Sequence, residues 1–268
     1  MLRFEEFVTK VKSKKYVWYN KIMINTEQKF IAIWGYPDLA VLDEIKQKYP
    51  HCEILDLDVS NGYPDMSIIP DAYCQIIKNI VNNAVYLKNS IEVIVASVGE
   101  EKCDAGRFAS LILKNLGFNI IETRYNTVSN GSDVKTPLSK SDLPLKTKII
   151  TIMDNLVFPQ PDLKFFEVKP EFGFWGVPPN DTSILELFPN NTHVYGWTRA
   201  VEAGFPADLD LEMFVDENVP TVFFAQSFCA KMQLAKYLAD KHGGLYIDID
   251  DLASNSVKAK IEAFIRLG

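Results

Sequence analysis

Cys103 and Cys229 sit in nearly the same local setting. Ile91-Glu-Val-Ile-Val-Ala-Ser-Val98 reads as a buried strand; after a polar loop, Cys103-Asp-Ala-Gly-Arg107 opens a helical stretch over 108–116. Pro220-Thr-Val-Phe-Phe-Ala-Gln-Ser227 reads as another such strand, and Phe228-Cys229 opens a helix over 230–241. The pattern predicts each thiol just past the C-terminal end of a strand and at the N-terminus of a helix. Open α/β sheets bind ligands at that end of their strands. Unpaired amides and the helix dipole there favour a thiolate, the form that ligates metals or attacks electrophiles.

The surrounding residues sharpen this reading without closing it. Gly106 permits close approach of a ligand to the backbone, and Arg107 can hold a carboxylate or phosphate through two parallel hydrogen bonds. The competing reading of Cys103 is a capping turn, with Asp104 serving the helix amides. Cys229, among Phe223, Phe224 and Phe228, can equally be a small buried hydrophobe. Cys52 and Cys74 fall on a strand start and an apolar helix face and read as core. Glu171-Phe-Gly-Phe-Trp-Gly-Val-Pro-Pro179 is an aromatic loop that either stacks a planar ligand through Trp175 or packs between lobes. Tyr195-Gly-Trp-Thr-Arg199 ends a strand and opens a helix. That places Trp197, Thr198 and Arg199 at a ligand-facing edge, where Arg199 binds an anion or forms a surface ion pair. The three histidines, His51, His193 and His242, make no ligand spacing with one another. No phosphate-binding glycine loop, dinucleotide fingerprint or serine triad is visible in the sequence.

These residues need a scaffold, and the alternation of apolar runs supplies one. Strands are predicted over 30–34, 52–58, 91–98 and 118–125, with helices over 38–49, 70–87 and 104–116, after a charged leading helix over 4–14. A second series has strands over 148–153, 193–197, 220–226 and 245–250, with helices over 199–203, 230–241 and 257–267. Gly243 stands where a helix C-cap requires a left-handed residue. Strands separated by helices imply parallel sheets. The expected architecture is two Rossmann-like α/β lobes, residues 1–126 and 147–268, joined by a linker over 127–146 and facing across a cleft.

At 268 residues the chain has ample material for two cores. Its 28 basic and 35 acidic residues give a net charge of −7. With no basic cluster, the chain lacks the positive face that nucleic-acid binding requires. No signal peptide or spanning segment is legible, so the expectation is a cytoplasmic protein, not membrane-bound, whose four cysteines stay reduced. A small-molecule ligand is expected, and a homo- or hetero-oligomer is compatible with the sequence.

Two resemblances arise at the residues described. Phe224-Ala-Gln-Ser-Phe-Cys229, Leu245-Tyr-Ile-Asp-Ile-Asp250 and Lys260-Ile-Glu-Ala-Phe264 resemble the ending of the 2-hydroxyacyl-CoA dehydratase and benzoyl-CoA reductase subunits. The strand-to-Cys-Asp segment over 94–107 is similar to theirs, and together these cover about a quarter of the chain. The resemblance implies that Cys103 and Cys229 ligate an iron–sulfur cluster. Separately, Glu101-Lys-Cys103-Asp-Ala-Gly106 with Leu111-Ile-Leu-Lys-Asn-Leu-Gly-Phe118 resembles the cobalt-binding helix of corrinoid-binding domains, with Cys103 in place of the histidine. Three functions therefore stand open. One is a metallocofactor protein with Cys103 and Cys229 as metal ligands and Arg107, Trp175, Trp197, Thr198 and Arg199 around the ligand. The second is a corrinoid protein. The third is a non-catalytic binder of a metal chelate or small metabolite, with no cofactor.

Overall fold

The structure is a computed structural model that describes residues 28–99, 103–124, 137–154, 164–205 and 208–268. The leading helix expected over 4–14 and much of the expected linker lie outside these residues.

The first lobe opens with β1 (Phe30–Trp34), every residue of which is buried. Asp38 then starts α1 (Leu39–Lys48): its carboxylate accepts from the amides of Ala40 and Val41, satisfying donors that a helix start leaves unpaired. β2 (Glu53–Asp56), α2 (Gln75–Tyr86), β3 (Ile91–Ser97), α3 (Asp104–Asn115) and β4 (Ile120–Thr123) follow. The strands form one parallel sheet of order β2-β1-β3-β4. The helices α2 and α3 cover one face through Ile77, Ile80, Val81, Ala109 and Leu113, while α1 covers the other through Leu42 and Ile45.

The second lobe repeats the plan. After α4 (Leu145–Asp154) come β5 (Phe172–Trp175), β6 (Thr192–Tyr195), α5 (Trp197–Glu202), α6 (Leu209–Met213), β7 (Thr221–Gln226), α7 (Lys231–His242), β8 (Leu245–Ile249) and α8 (Asn255–Leu267). The sheet order β6-β5-β7-β8 is that of the first lobe, again with every pair parallel. The C-terminal helix α8 buries Ile261, and Gly243 ends α7 at φ +64, as its position predicted.

Two elements differ from the sequence reading. Residues 148–153 are not a strand but part of the helix α4. Its buried positions Leu145, Lys148, Ile149, Ile152 and Met153 follow helical spacing, and the run of β-branched residues is simply its inward face. The place of that expected strand is taken by β5, a central strand hidden in the aromatic segment read as a loop. Gly173 makes β5 hard to recognise. A Cβ there would fall 2.3 Å from Thr221 Oγ1 and 2.6 Å from the Tyr195 ring, so close strand packing excludes any side chain.

One apolar cluster runs through both lobes. It takes Ile31, Ile33, Val93, Val95, Leu42 and Ile45 from the first, and inward residues of β5, β6, β7, β8, α4 and α8 from the second. The ends of the strands also meet. Asn79 of α2 donates to Asn180, just beyond β5, at 3.4 Å, and Asn180 donates to Asp251, just beyond β8, at 2.8 Å.

Candidate thiol site

Three thiols converge where the C-terminal strand ends of the two lobes join. Cys74 is the N-cap of α2, Cys103 is the N-cap of α3, and Cys229 lies one residue before Ala230, the N-cap of α7. Cys103 is exposed, and the other two are half-buried. The Cys74 thiol is pushed up to about 11, chiefly by burial, while the facing amides of Ile77 and Ile76 pull it back down. The charges that Cys229 and Cys103 would carry as thiolates push it further up. Burial likewise raises the Cys229 thiol, against the pull of the Lys231 amide, and a Cys103 thiolate adds to the rise. Each sulfur is therefore close enough to feel the others' charge. Among the described residues, however, no three His, Cys, Asp or Glu side chains are gathered tightly enough to hold a single metal ion.

The electrostatics have a simple physical origin. The unpaired amides at the starts of α2 and α7 face the Cys74 and Cys229 sulfurs, and such amides favour a thiolate. Burial and mutual repulsion oppose ionisation while the charge stays uncompensated. Other polar groups at these strand ends also lack partners. Trp34 Nε1, Ser97 Oγ and Gln226 Oε1, on the last residues of β1, β3 and β7, are buried and make no hydrogen bond among the described residues. Buried polar atoms ordinarily have partners, so these are groups that a bound molecule or water would satisfy.

Of the residues expected from sequence, Cys103 and Cys229 lie in electrostatic reach of one another. Arg107, in the first turn of α3, is exposed and paired with Asp104 at 3.8 Å. Trp175 is wholly enclosed in the second lobe's core, and its indole N–H donates to the Glu212 carbonyl at 2.6 Å. Trp197 packs against the shared apolar cluster. Thr198 is buried, its hydroxyl donating to the Gly176 carbonyl at 2.9 Å. Arg199 pairs with Glu202 at 3.1 Å, the ion-pair alternative.

Cys74 was the residue that sequence reasoning missed. Starting α2 at residue 70 buries Cys74 one turn inside the helix; the helix in fact begins at Gln75, after a turn in which the Tyr73 amide donates to Asp71. A third cysteine placed just ahead of an apolar helical run was the available signal. Glu212, buried beside Lys231, was missed as well, because in Asp208-Leu-Asp-Leu-Glu-Met213 nothing marks which of three acids turns inward.

No protein-family pattern matches the chain, and no curated protein is significantly similar to it. The fold and site define a two-lobed parallel α/β protein with three thiols at its joined strand ends. Among the described residues, no helix is long and apolar enough to cross a membrane.

Proposed function

We propose that the protein holds an iron–sulfur cluster at the joined C-terminal strand ends of its lobes, bound by Cys74, Cys103 and Cys229, and that the cluster serves a small anionic ligand. The observation that carries this reading is the convergence of three thiols from three separate helix starts. Thiolate is the usual ligand of such clusters. The resemblance of the segments around Cys103 and Cys229 to dehydratase and reductase subunits agrees with it. Held by three thiolates, such a cluster supplies single electrons and an iron with no protein ligand, able to polarise an oxygen-bearing group. The protein's own part is to fix the sulfurs, limit solvent around Cys74 and Cys229, and offer Ser97, Gln226 and Trp34 as hydrogen-bonding groups to a ligand. The reading keeps the protein in the cytoplasm, where thiols stay reduced.

Anaerobic purification with iron, sulfide and cobalt analysis tests this. The expected result is a brown protein with iron and acid-labile sulfide. Replacing Cys74, Cys103 or Cys229 with serine should each weaken cluster retention by about 10-fold or more, because metal sites are sensitive even to losses around their ligands. Cys52→Ser should not. Cobalt in a red protein would instead establish the corrinoid reading. A colourless, metal-free protein would leave the non-catalytic binder.

A further inference from the structure

A cavity that none of the three thiols lines lies against the edge of the second sheet. Its volume is about 530 Å³, within the range of roughly 300–1,000 Å³ usual for small-molecule sites. β6 is an edge strand, and its residues His193 and Tyr195, two apart, fall on one face and form the cavity floor. The Tyr195 ring lies over Gly173 of β5, in space that a Cβ there would contest at 2.6 Å. One wall is the segment around Val168. It is tied back by the Val168 amide donating to the Lys140 carbonyl at 3.1 Å and the Asp142 amide donating to the Phe166 carbonyl at 3.2 Å. The other wall is Phe214, which is 60% exposed and meets the Tyr195 ring edge-on with centroids 6.2 Å apart.

The floor carries hydrogen-bonding capacity that the protein does not use. His193 and Tyr195 are only 6% and 5% exposed. His193 Nε2 donates to the Val168 carbonyl at 2.8 Å, which leaves Nδ1 of the neutral ring as an acceptor. Neither that nitrogen nor the Tyr195 hydroxyl has a hydrogen-bond partner among the described residues. Burial pulls the His193 pKa below its ordinary value, against the Val168 carbonyl; burial and then Asp216 push Tyr195 up to about 12. Both rings are therefore uncharged at neutral pH. The rim sets Lys140 and Lys169 against Glu167 and Asp216, with Lys140 and Glu167 paired at 3.7 Å, so it favours neither sign of ligand charge.

We propose that this cavity binds a neutral, planar heteroaromatic ring of the nucleobase class, stacked on Phe214, donating a hydrogen bond to His193 Nδ1 and accepting one from the Tyr195 hydroxyl. Nucleobases present a donor and an acceptor side by side on a ring edge, and every base has a face that stacks on an aromatic side chain. The inference uses no cysteine and stands apart from the cluster reading.

The experiment is calorimetric titration of full-length protein with adenine, adenosine and benzoate, with a melting temperature measured for every variant. Adenine or adenosine should bind one to one, and the tighter of the two identifies a free base or a nucleoside as the source of the ring. The benzoate anion should bind about 10-fold more weakly or worse. Phe214→Ala should weaken binding by about 5-fold or more, through lost stacking. Tyr195→Phe, which keeps the ring and loses one hydrogen bond, should weaken it by about 3- to 10-fold. Tyr237→Ala, which removes an exposed aromatic that does not line the cavity, should leave it unchanged. If Tyr195→Phe melts early, the exposed Phe214 still decides the matter. No binding of adenine or adenosine at millimolar concentration would overturn the proposal. So would benzoate of equal affinity, or adenine binding that Phe214→Ala does not weaken.

Discussion

Phe228, immediately before Cys229, adopts φ +61 and is 52% exposed. The left-handed region costs an L residue about 1–2 kcal/mol, and a bulky aromatic there is a genuine outlier. Glycine would remove that strain, while adding about 0.5–1 kcal/mol of chain entropy to be lost on folding. Phe228→Gly should therefore leave stability unchanged or raise it by about 1 kcal/mol, read as a shift in the denaturation midpoint at constant slope. Phe228→Ala keeps the Cβ and the strain, so it should not stabilise. A marked loss in the glycine variant would mean that the ring packs more than its exposure indicates. At this scale sequence reading was partial. It found Cys103 and Cys229 because each follows a recognisable strand, but it lost Cys74 to a helix start placed one turn too early. It left Arg199 between an anion and an ion pair, because sequence does not say whether the side chain turns to Glu202 or to a ligand.

The helix α4 shows how an element can contradict its own composition. Lys148 is wholly buried, and its ammonium donates to the carbonyls of Asn190 and Thr192, each at 2.7 Å. Burial lowers its pKa to about 8, against the opposing influence of Asp142 and Glu202. In the unfolded chain the ordinary value, about 10.5, applies. Between those values the unfolded state holds more protons than the folded one, so stability should rise with pH from about 8 to 10.5. Lys148→Met should abolish that rise. It should also destabilise the protein by about 1–3 kcal/mol at neutral pH, since two buried carbonyls lose their donor. Thermal melts across this pH range check both effects; a retained rise in the variant would assign it to another group. The alternation of the other strands was legible because buried parallel strands read as continuous apolar runs. Helix α4 and strand β5 were not: one has the β-branched residues of a strand, and the other contains glycine where strands normally carry a side chain.

The whole molecule consists of two lobes of identical strand order that share one apolar cluster and are tied at their strand ends through Asn79, Asn180 and Asp251. Such coupling predicts joint unfolding. Fluorescence of Trp34→Phe and Trp175→Phe variants, which emphasise different lobes, should report a single denaturation midpoint. Two separate midpoints would show that each lobe melts on its own. The duplication was visible in the sequence as two series of four strands with a cysteine after the third, although one member of the second series was misplaced. Facing lobes were expected, but their shared apolar cluster was not visible, because periodicity marks which face of a strand is apolar and not what covers it. The shared oily core has a consequence for recognition. Two-lobed proteins that snap shut on their cargo need a wet hinge gap, and here the halves are welded by hydrocarbon. On the proposed function, a ligand at the strand ends would meet a surface already set at folding, selected by fit on entry and not by closure around it.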